Sequence, residues 1–263
     1  MKQFAIFGNP VEHSKSPNMH NNGFKQLNFD AHYIKHHLLN GKEIKEVFLN
    51  KGYSGANITV PHKEEAFAQA DNVVGVAQKI GAVNTYIKEK DGSVTAYNTD
   101  APGFLKAIES FGKIQNVLIL GAGGTAKAIA VALLDAGKKV SVLNRSENKL
   151  TFFKELGCNT YSWDNFKPSS YDLVVNSTSA GLKDEYYPVE KTVLEAVLNK
   201  SKFAFDCIYG KLTPFLSLAK ELGLEYKDGE DMLLYQGVLA FEYFTNSKCS
   251  DEIIEAMREG LKK

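Results

Sequence analysis

The sequence predicts an α/β protein, because short apolar strand patterns alternate with helical patterns along almost the whole chain of 263 residues. In the second half, an apolar run at 116–120 is followed by a glycine-rich turn, an Ala-rich helical stretch and another strand pattern at 139–143. This order predicts a parallel, doubly wound sheet, which the apolar runs at 173–175 and 203–208 extend.

Composition and charge limit the class of protein. Hydrophobic residues make up 44% and charged residues 24%, which excludes collagen-like and disordered chains. Lys+Arg and Asp+Glu are 31 each, so the chain lacks a basic field that would attract nucleic acid or an anionic membrane. No apolar run approaches the roughly 20 residues of a membrane span. The cysteines fit neither a disulfide framework nor a zinc site, so we expect a cytoplasmic protein; they are Cys158, Cys207 and Cys249.

The first half of the chain alternates in the same way. A strand at 4–7 precedes a helix at 17–27, for which Ser16 is the expected N-cap and Pro17 the first helical residue. Pro61 is expected to open a later helix in the same manner. Asp91-Gly92 between two β-rich stretches predicts a hairpin. The remaining elements are predicted at 31–39, 42–50, 56–60 and 101–111.

The predicted boundary between two α/β domains lies near the helix at 101–111. We expect residues 1–101 to form the first domain and residues 102–230 the second. Two helices end the chain, at 231–245 and 251–262, and Ser250 is the expected N-cap of the last one. We expect residues 231–263 to pack back on the first domain.

The glycine-rich turn after the strand at 116–120 matches the dinucleotide-binding fingerprint G-x-G-x-x-A. Gly121 permits a tight turn, Gly123 lets the backbone approach a pyrophosphate, and Ala126 lets the helix pack closely on the strand. The helix N-terminus can then hold negative charge. Because a strand, a helix and a second strand surround the turn, nucleotide binding is favoured over a merely structural turn.

The end of the second strand indicates which nucleotide is bound. An Asp or Glu there would hydrogen-bond the ribose 2′-hydroxyl of NAD and repel a 2′-phosphate. This chain instead has Asn144-Arg145-Ser146, with Lys149 further on, and a guanidinium suits bidentate contact with a phosphate. NADP is therefore favoured over NAD. The alternative is that Arg145 is only a solvated surface charge.

Three polar clusters in the first half fall where strands end or helices begin, which is where α/β proteins build sites. They occupy residues 13–17, residues 57–63, and Asn84 together with 97–100. Lys63 lies in a predicted first helical turn, where a cation is electrostatically unfavourable. A residue that breaks a local rule in this way hints at function.

Motifs that carry chemistry occur in order along the whole chain. They are S-K-S-P at 14–17, N-I-T-V-P-H-K at 57–63, G-A-V-N-T at 81–85, N-T-D at 98–100, G-A-G-G-T-A at 121–126, N-R-S at 144–146, N-S-T-S-A-G-L at 176–182, Tyr209 with Thr213-Pro214, and G-E-D-M-L-L-Y-Q at 229–236. Together they resemble the shikimate dehydrogenase family. The resemblance implies an N-terminal α/β substrate domain plus a Rossmann-like, doubly wound dinucleotide-binding domain. It also implies an enzyme that uses NADP to reduce 3-dehydroshikimate to shikimate, reversibly, in aromatic amino-acid biosynthesis.

The resemblance also assigns roles to individual residues. Lys63 and Asp100 would form the catalytic pair. The substrate would be bound by Ser14, Ser16, Thr59, Lys63, Asn84, Asp100, Tyr209 and Gln236. NADP would be bound by Gly121, Ala122, Gly123, Gly124, Thr125, Asn144, Arg145, Ser146 and Lys149, with Cys207 and Gly229 near its nicotinamide end.

The implied chemistry agrees with the residue types. Carbonyl reduction needs a proton donor at the oxygen, and a Lys63 ammonium both polarises the carbonyl and can donate. An adjacent Asp100 would keep Lys63 charged and oriented. The sequence leaves open whether Lys63 moves the proton itself or whether Asp100 and water share it.

Two rival functions differ in the features they require. A quinate/shikimate dehydrogenase that uses NAD would be expected to carry an Asp after the second strand, where this chain has Asn144. A non-enzymatic nucleotide-binding sensor would have no need of both Lys63 and Asp100. A homodimer is compatible with the sequence, which says nothing else about oligomeric state.

The chain departs from the family pattern at three places. His62 stands where relatives often have Phe, and we interpret it as a packed or solvated side chain. Gly75 stands where many relatives have an acid, and residues 209–213 lack a common Pro. Three further histidines lack a partner at a recognised ligand spacing, so no metal is predicted; they are His32, His36 and His37.

Overall fold

The computed structural model describes residues 1–263, which divide into two compact units. The first unit comprises Met1–Gly103 and Leu234–Lys263, and the second comprises Phe104–Leu233. The chain changes unit within a helix on both occasions. None of the helices combines the length and the apolar character that a membrane span requires.

The first unit contains a six-stranded mixed sheet. Its strands are β1 (Lys2–Gly8), β2 (Ala31–His37), β3 (Gly55–Ile58), β4 (Asn72–Val73), β5 (Thr85–Lys88) and β6 (Val94–Tyr97). Their order is β2-β1-β3-β5-β6-β4, and only β5 runs antiparallel to its neighbours. The predicted hairpin is confirmed as β5 and β6.

Short helices accompany this sheet. They are α1 (Ser16–Gln26), α2 (Ile44–Asn50), α3 (Lys63–Gln69) and α4 (Val76–Ile80). Helix α5 (Asp100–Ile108) leads into the second unit. The last two helices of the chain are α10 (Glu230–Thr245), which leads back into the first unit, and α11 (Asp251–Leu261).

The second unit contains a six-stranded sheet that is parallel throughout. Its strands are β7 (Asn116–Leu120), β8 (Lys139–Leu143), β9 (Asn159–Tyr161), β10 (Leu173–Asn176), β11 (Phe203–Asp206) and β12 (Glu225–Lys227). Its helices are α6 (Gly124–Asp135), α7 (Thr151–Glu155), α8 (Lys191–Leu198) and α9 (Pro214–Glu221). The order β12-β11-β10-β7-β8-β9 confirms the predicted doubly wound sheet. The strand order reverses between β7 and β10, and such reversal points are where open α/β sheets bind ligands.

The apolar strand patterns explain the core of the second unit. From Val117 to Leu120, strand β7 is at most 2% exposed, because a central parallel strand is covered on both faces. Ala126 is fully buried where α6 meets the sheet, as its small size allows.

Helix α11 packs on α1 within the first unit. A Cβ on Gly260 would lie 2.6 Å from the carbonyl oxygen of Asn18 and 2.7 Å from the Cα of Met19. These neighbours are backbone atoms that cannot move aside, so the close helix contact requires glycine. Helix α10 also packs on α1, where the ring of Phe241 stacks on the ring of Phe24 with centroids 5.0 Å apart.

Several predicted helix starts are wrong in detail. Lys15, not Ser16, is the N-cap of α1, and Ser16 is its first residue. Pro61 does not open α3, which begins at Lys63 with His62 in the N-cap position. Ser250 does occupy the N-cap position of α11, but its side chain makes no capping bond.

Other predicted limits are also corrected. The helix predicted at 101–111 ends at Ile108 and continues as a 3-10 turn over Glu109–Phe111. The helix predicted at 42–50 begins as a 3-10 turn over Gly41–Glu43. Both changes tighten a helix end, where the backbone groups have no partner within the helix.

Candidate functional site

Lys63 and Asp100 form an ion pair in the first unit. Lys63 is the first residue of α3 and Asp100 the first residue of α5, and the Nζ of Lys63 lies 2.5 Å from Oδ2 of Asp100. The two side chains are 21% and 12% exposed, so the pair remains open to solvent on one side. The predicted juxtaposition of these residues, which are far apart in sequence, is therefore present.

Asn98 fixes the start of α5 and hence the direction of Asp100. Its Oδ1 accepts hydrogen bonds from the backbone N–H groups of Asp100 (3.1 Å) and Ala101 (3.2 Å). Its Nδ2 donates to the carbonyl of Ala82 at 3.0 Å, which ties the start of α5 to the loop before β5. Asn98 therefore satisfies backbone N–H groups of the first helical turn that have no partner within the helix.

Asn84 and Gln236 lie beside this pair. Nδ2 of Asn84 donates to Oδ1 of Asp100 at 2.9 Å and lies 3.5 Å from Oε1 of Gln236. Gly103 makes the approach of α10 possible, since a Cβ there would lie 2.7 Å from the backbone nitrogen of Gln236. Four predicted site residues are thus brought together: Lys63, Asn84, Asp100 and Gln236.

The remaining predicted substrate residues occupy different places. Oγ of Ser14 accepts from the backbone N–H of Ser16 at 3.3 Å, and Ser16 itself is only 4% exposed. Thr59 follows β3 and its backbone N–H donates to the carbonyl of Phe7 at 2.8 Å. Tyr209 belongs to the second unit, whereas the other seven belong to the first.

The glycine-rich turn in the second unit leaves open space in front of a helix N-terminus. Gly121 has φ +104°, and a Cβ there would lie 2.9 Å from atoms of Ser177 and Thr178, so only glycine fits. A Cβ on Gly123 or Gly124 would point into open space, with no neighbouring group within 4 Å. Helix α6 has no acidic residue in its first turn and no side-chain cap, so its first N–H groups lack a partner within the helix and from a capping side chain. The cradle therefore suits the pyrophosphate of a dinucleotide.

A cavity of about 420 Å³ adjoins this turn. Its lining includes Gly121 together with Asn144 and Arg145, two of the predicted 2′-phosphate contacts. The other two, Ser146 in the same loop and Lys149 in the 3-10 turn that follows, do not line it. Nδ2 of Asn144 donates to the carbonyl of Ser146 at 2.9 Å, which holds the loop after β8. Trp163 also lines the cavity and is 42% exposed, a feature that sequence reasoning missed.

Cys207 and Gly229, predicted near the nicotinamide, lie against each other. A Cβ on Gly229 would clash with the carbonyl of Cys207, and the N–H of Gly229 donates to the carbonyl of Ile208 at 3.0 Å. This close backbone contact explains why glycine occurs at 229.

His62 and His36 pack against neighbouring groups of the first unit. His62 is 2% exposed, with Nε2 2.6 Å from the carbonyl of Leu38, so its interpretation as a packed side chain is confirmed. His36 contacts the hydroxyl of Tyr53 at 3.0 Å. The structure contains no group of three His, Cys, Asp or Glu residues that could hold a metal ion.

Comparison with known proteins follows the same division of the chain. Family models match the shikimate dehydrogenase substrate binding domain at residues 6–86, shikimate / quinate 5-dehydrogenase at 104–206, and the shikimate 5'-dehydrogenase C-terminal domain at 229–261. A Helicobacter hepaticus protein named shikimate dehydrogenase (NADP(+)) is 46% identical, covering 97% of this chain and 95% of its own. A Helicobacter pylori protein of the same name is 47% identical, covering 98% of both chains.

The chain belongs to the shikimate dehydrogenase family. A crystal structure of the Thermus thermophilus family member, in complex with NADP(H) and shikimate, matches with a TM-score of 0.88 at 36% identity. The match covers 100% of this chain and 99% of that one.

Within this shikimate dehydrogenase fold, Asp206 is a buried carboxylate that the sequence did not single out. It ends β11 and is 0% exposed. It accepts from Thr213 Oγ1 (2.6 Å), the N–H of Ile208 (3.0 Å) and Asn176 Nδ2 (3.1 Å), while Oδ1 of Asn176 accepts from the N–H and hydroxyl of Thr178. These bonds join the carboxyl ends of β10 and β11. Burial nevertheless raises the pKa of Asp206 to about 6.

This raised pKa predicts a pH dependence of stability. The folded state holds the proton of Asp206 up to about pH 6, whereas an unfolded Asp releases it near pH 4. The stability that protonation supplies is therefore complete below about pH 4 and is lost as pH rises to about 6, a change of roughly 3 kcal/mol. Urea titrations of the wild type and of Asp206→Asn across this range should give free energies of unfolding that change with pH at different slopes. Identical slopes would contradict the assignment.

Proposed function

We propose that this chain catalyses the reversible, NADP-dependent reduction of 3-dehydroshikimate to shikimate in aromatic amino-acid biosynthesis, with Lys63 and Asp100 as the catalytic pair. The observation that carries the proposal is the 2.5 Å contact between Nζ of Lys63 and Oδ2 of Asp100 at the starts of two helices. Family membership supports the activity, and the cavity beside the glycine-rich turn supports the cofactor.

Lys63 donates the proton in the direction of ketone reduction. Reduction of the ketone adds a hydride to carbon and a proton to oxygen, and the two together form the hydroxyl of shikimate. The Lys63 ammonium donates a hydrogen bond to the carbonyl oxygen, stabilises the negative charge that develops there, and is positioned to deliver the proton. Asp100 orients the ammonium, while its second oxygen accepts from Asn84. In the oxidation direction the same groups receive the proton.

The substrate contacts follow from the polar groups of the first unit. We assign the substrate carboxylate to the hydroxyls of Ser14 and Ser16, which lie at the start of α1. The ring hydroxyls are assigned to Thr59, Asn84 and Gln236, together with Lys63 and Asp100. Tyr209 is assigned to the substrate from the second unit, on the strength of the family motif alone.

The cofactor contacts follow from the second unit. NADPH, when bound, supplies the hydride from its nicotinamide ring. The turn from Gly121 to Thr125, through Ala122, Gly123 and Gly124, holds the pyrophosphate at the N-terminus of α6. The segment after β8 would hold the 2′-phosphate through Asn144, Arg145, Ser146 and Lys149. Cys207 and Gly229 are assigned to the nicotinamide end on the family motif alone.

Turnover with each cofactor and substrate tests the function. We expect the absorbance of the reduced nicotinamide to rise when the purified protein is mixed with shikimate and NADP, and to rise far less when quinate replaces shikimate or NAD replaces NADP. Binding of NADP without turnover would refute the enzyme and favour the nucleotide-binding sensor. A preference for NAD or quinate would place the chain with the NAD-using alternative.

We also propose a cytoplasmic location, which the three free cysteines support, because unpaired thiols suit a reducing compartment. The homodimer stays a prediction, and sedimentation at the concentration used for kinetics would test it.

A further inference from the structure

A buried chain of polar side chains leads from the core of the first unit to Asp100. Tyr33 on β2, Asn57 on β3 and Thr85 on β5 are 1%, 5% and 0% exposed, and Asn84, at 2%, precedes Thr85 in sequence. Asn57 and Thr85 are direct cross-strand partners in the β3–β5 register, which places their side chains on one face. Buried polar groups at such positions call for partners.

The hydrogen bonds between these polar side chains can run in one direction only. The backbone N–H of Thr99 must donate, so the atom of Asn84 that it meets at 2.8 Å is Oδ1, and Nδ2 therefore faces Asp100. In the same way, the carbonyl of Asn84 must accept from Nδ2 of Asn57 (3.2 Å). Oδ1 of Asn57 consequently faces Tyr33.

The remaining donors follow from this orientation. The hydroxyl of Tyr33 donates to Oδ1 of Asn57 at 2.7 Å, and Nδ2 of Asn57 donates to Oγ1 of Thr85 at 3.1 Å. Because Thr85 accepts there, its own proton goes to Oδ1 of Asn84 at 3.0 Å. Nδ2 of Asn84 then donates to Asp100 at 2.9 Å. These four bonds therefore all run toward the carboxylate, and bonds aligned in this way polarise one another.

Tyr33, the residue of this hydrogen-bonded series that is farthest from Asp100, is also held rigidly. The ring of Tyr33 stacks on His20 with centroids 4.4 Å apart and planes 7° from parallel. Burial raises the pKa of Tyr33 well above its ordinary value, so the phenol keeps the proton that it donates.

We propose that Tyr33, Asn57 and Thr85 are positioning residues, which fix the amide of Asn84 and through it the carboxylate of Asp100 for the reaction. They connect the buried hydroxyl of Tyr33 with the carboxylate of Asp100 through the interior of the sheet. The expected effect on turnover rests on the proposed function. The geometry of the hydrogen bonds is independent of it.

Single-atom changes test the proposal. Thr85→Val removes the hydroxyl at nearly constant volume, Tyr33→Phe removes the terminal donor, and Thr85→Ser restores the bond as a rescue variant. The matched control is Tyr53→Phe, which removes a buried tyrosine hydroxyl of the same unit that bonds to His36 instead.

We expect Thr85→Val and Tyr33→Phe to lower kcat/KM for shikimate by about tenfold, with a fall in kcat, since each leaves a buried group unpaired. KM for NADP should stay at the wild-type value. Thr85→Ser and Tyr53→Phe should retain the wild-type kcat and both KM values. If Thr85→Val and Tyr33→Phe lower only the melting temperature and keep wild-type kinetics, the residues are purely structural and the proposal is wrong.

A measurement without turnover separates this inference from the proposed function. In side-chain amide NMR spectra, the N–H₂ group of Asn84 should exchange with water faster in Thr85→Val than in wild type or Thr85→Ser. An inactive wild-type protein would refute the proposed function while this comparison still tested the chain. Equal exchange in all three proteins would refute the positioning of Asn84 by Thr85.

Discussion

Replacing Lys63 with Ala is expected to lower kcat for shikimate oxidation by about 10²- to 10⁴-fold, the usual contribution of a positioned acid or base. The substitution removes the only group of the pair that can both donate a proton and carry positive charge toward the carbonyl oxygen. It also leaves the carboxylate of Asp100, 12% exposed, without its cation. NADP binding should be unchanged, because the residues assigned to the cofactor belong to the second unit.

The matched control for this experiment is Lys45→Ala. Lys45 forms an ion pair with Asp71 of the same length, 2.5 Å, in the same unit, but neither residue belongs to the proposed site. Single-turnover rates, NADP titration and thermal unfolding should be measured for both variants. A Lys63→Ala protein that is folded, binds NADP and turns over like Lys45→Ala would show that Lys63 is not catalytic.

The sequence predicts the central elements of the fold well and the peripheral ones poorly. Strands β7 and β8 have the predicted limits, because a parallel strand buried on both faces is a continuous apolar run. Strand β12 (Glu225–Lys227) has no such run, since it is three residues long and lies at the edge of the sheet. Its pairing with β11 depends on tertiary contacts that no local pattern encodes.

The helix starts show a second limit of sequence reasoning. Ser16 before Pro17 has the composition of an N-cap, yet the helix begins one residue earlier. Ser16 is instead the buried first residue of the helix, 4% exposed, and its packing there outweighs a local cap. Cap preferences amount to about 1 kcal/mol, so tertiary packing can override them.

The residues of the site also differ in how clearly the sequence reveals them. Lys63 and Asp100 were found because each stands out locally, one as a cation in a first helical turn and the other in a family motif. Thr85 and Tyr33 do not stand out, because Thr and Tyr are favoured in any strand, whether or not their hydroxyls have a task. Asp206 was missed because it ends an apolar strand, and the side chain that pairs it with the neighbouring strand, Asn176, lies 30 residues away in the sequence.

Replacing Arg145 with Ala is expected to raise KM for NADP by roughly 10- to 100-fold while changing KM for NAD little. The two cofactors differ only by the 2′-phosphate, so an effect confined to NADP reports on that group. Arg145 is exposed and lines the cavity beside Gly121, which leaves its guanidinium able to reach a phosphate. The measurement is the ratio of kcat/KM values for NADP and NAD at saturating shikimate.

Lys139→Ala is the control that separates this contact from general surface charge. Lys139 is exposed on the same strand, β8, but begins it, whereas Arg145 follows the carboxyl end, where α/β sheets bind their ligands. Both variants remove one positive charge from the second unit, so a long-range field would affect them alike. If the ratio for NADP over NAD falls equally in both, or in neither, Arg145 is a solvated surface charge and the cofactor preference must come from other residues of the loop after β8.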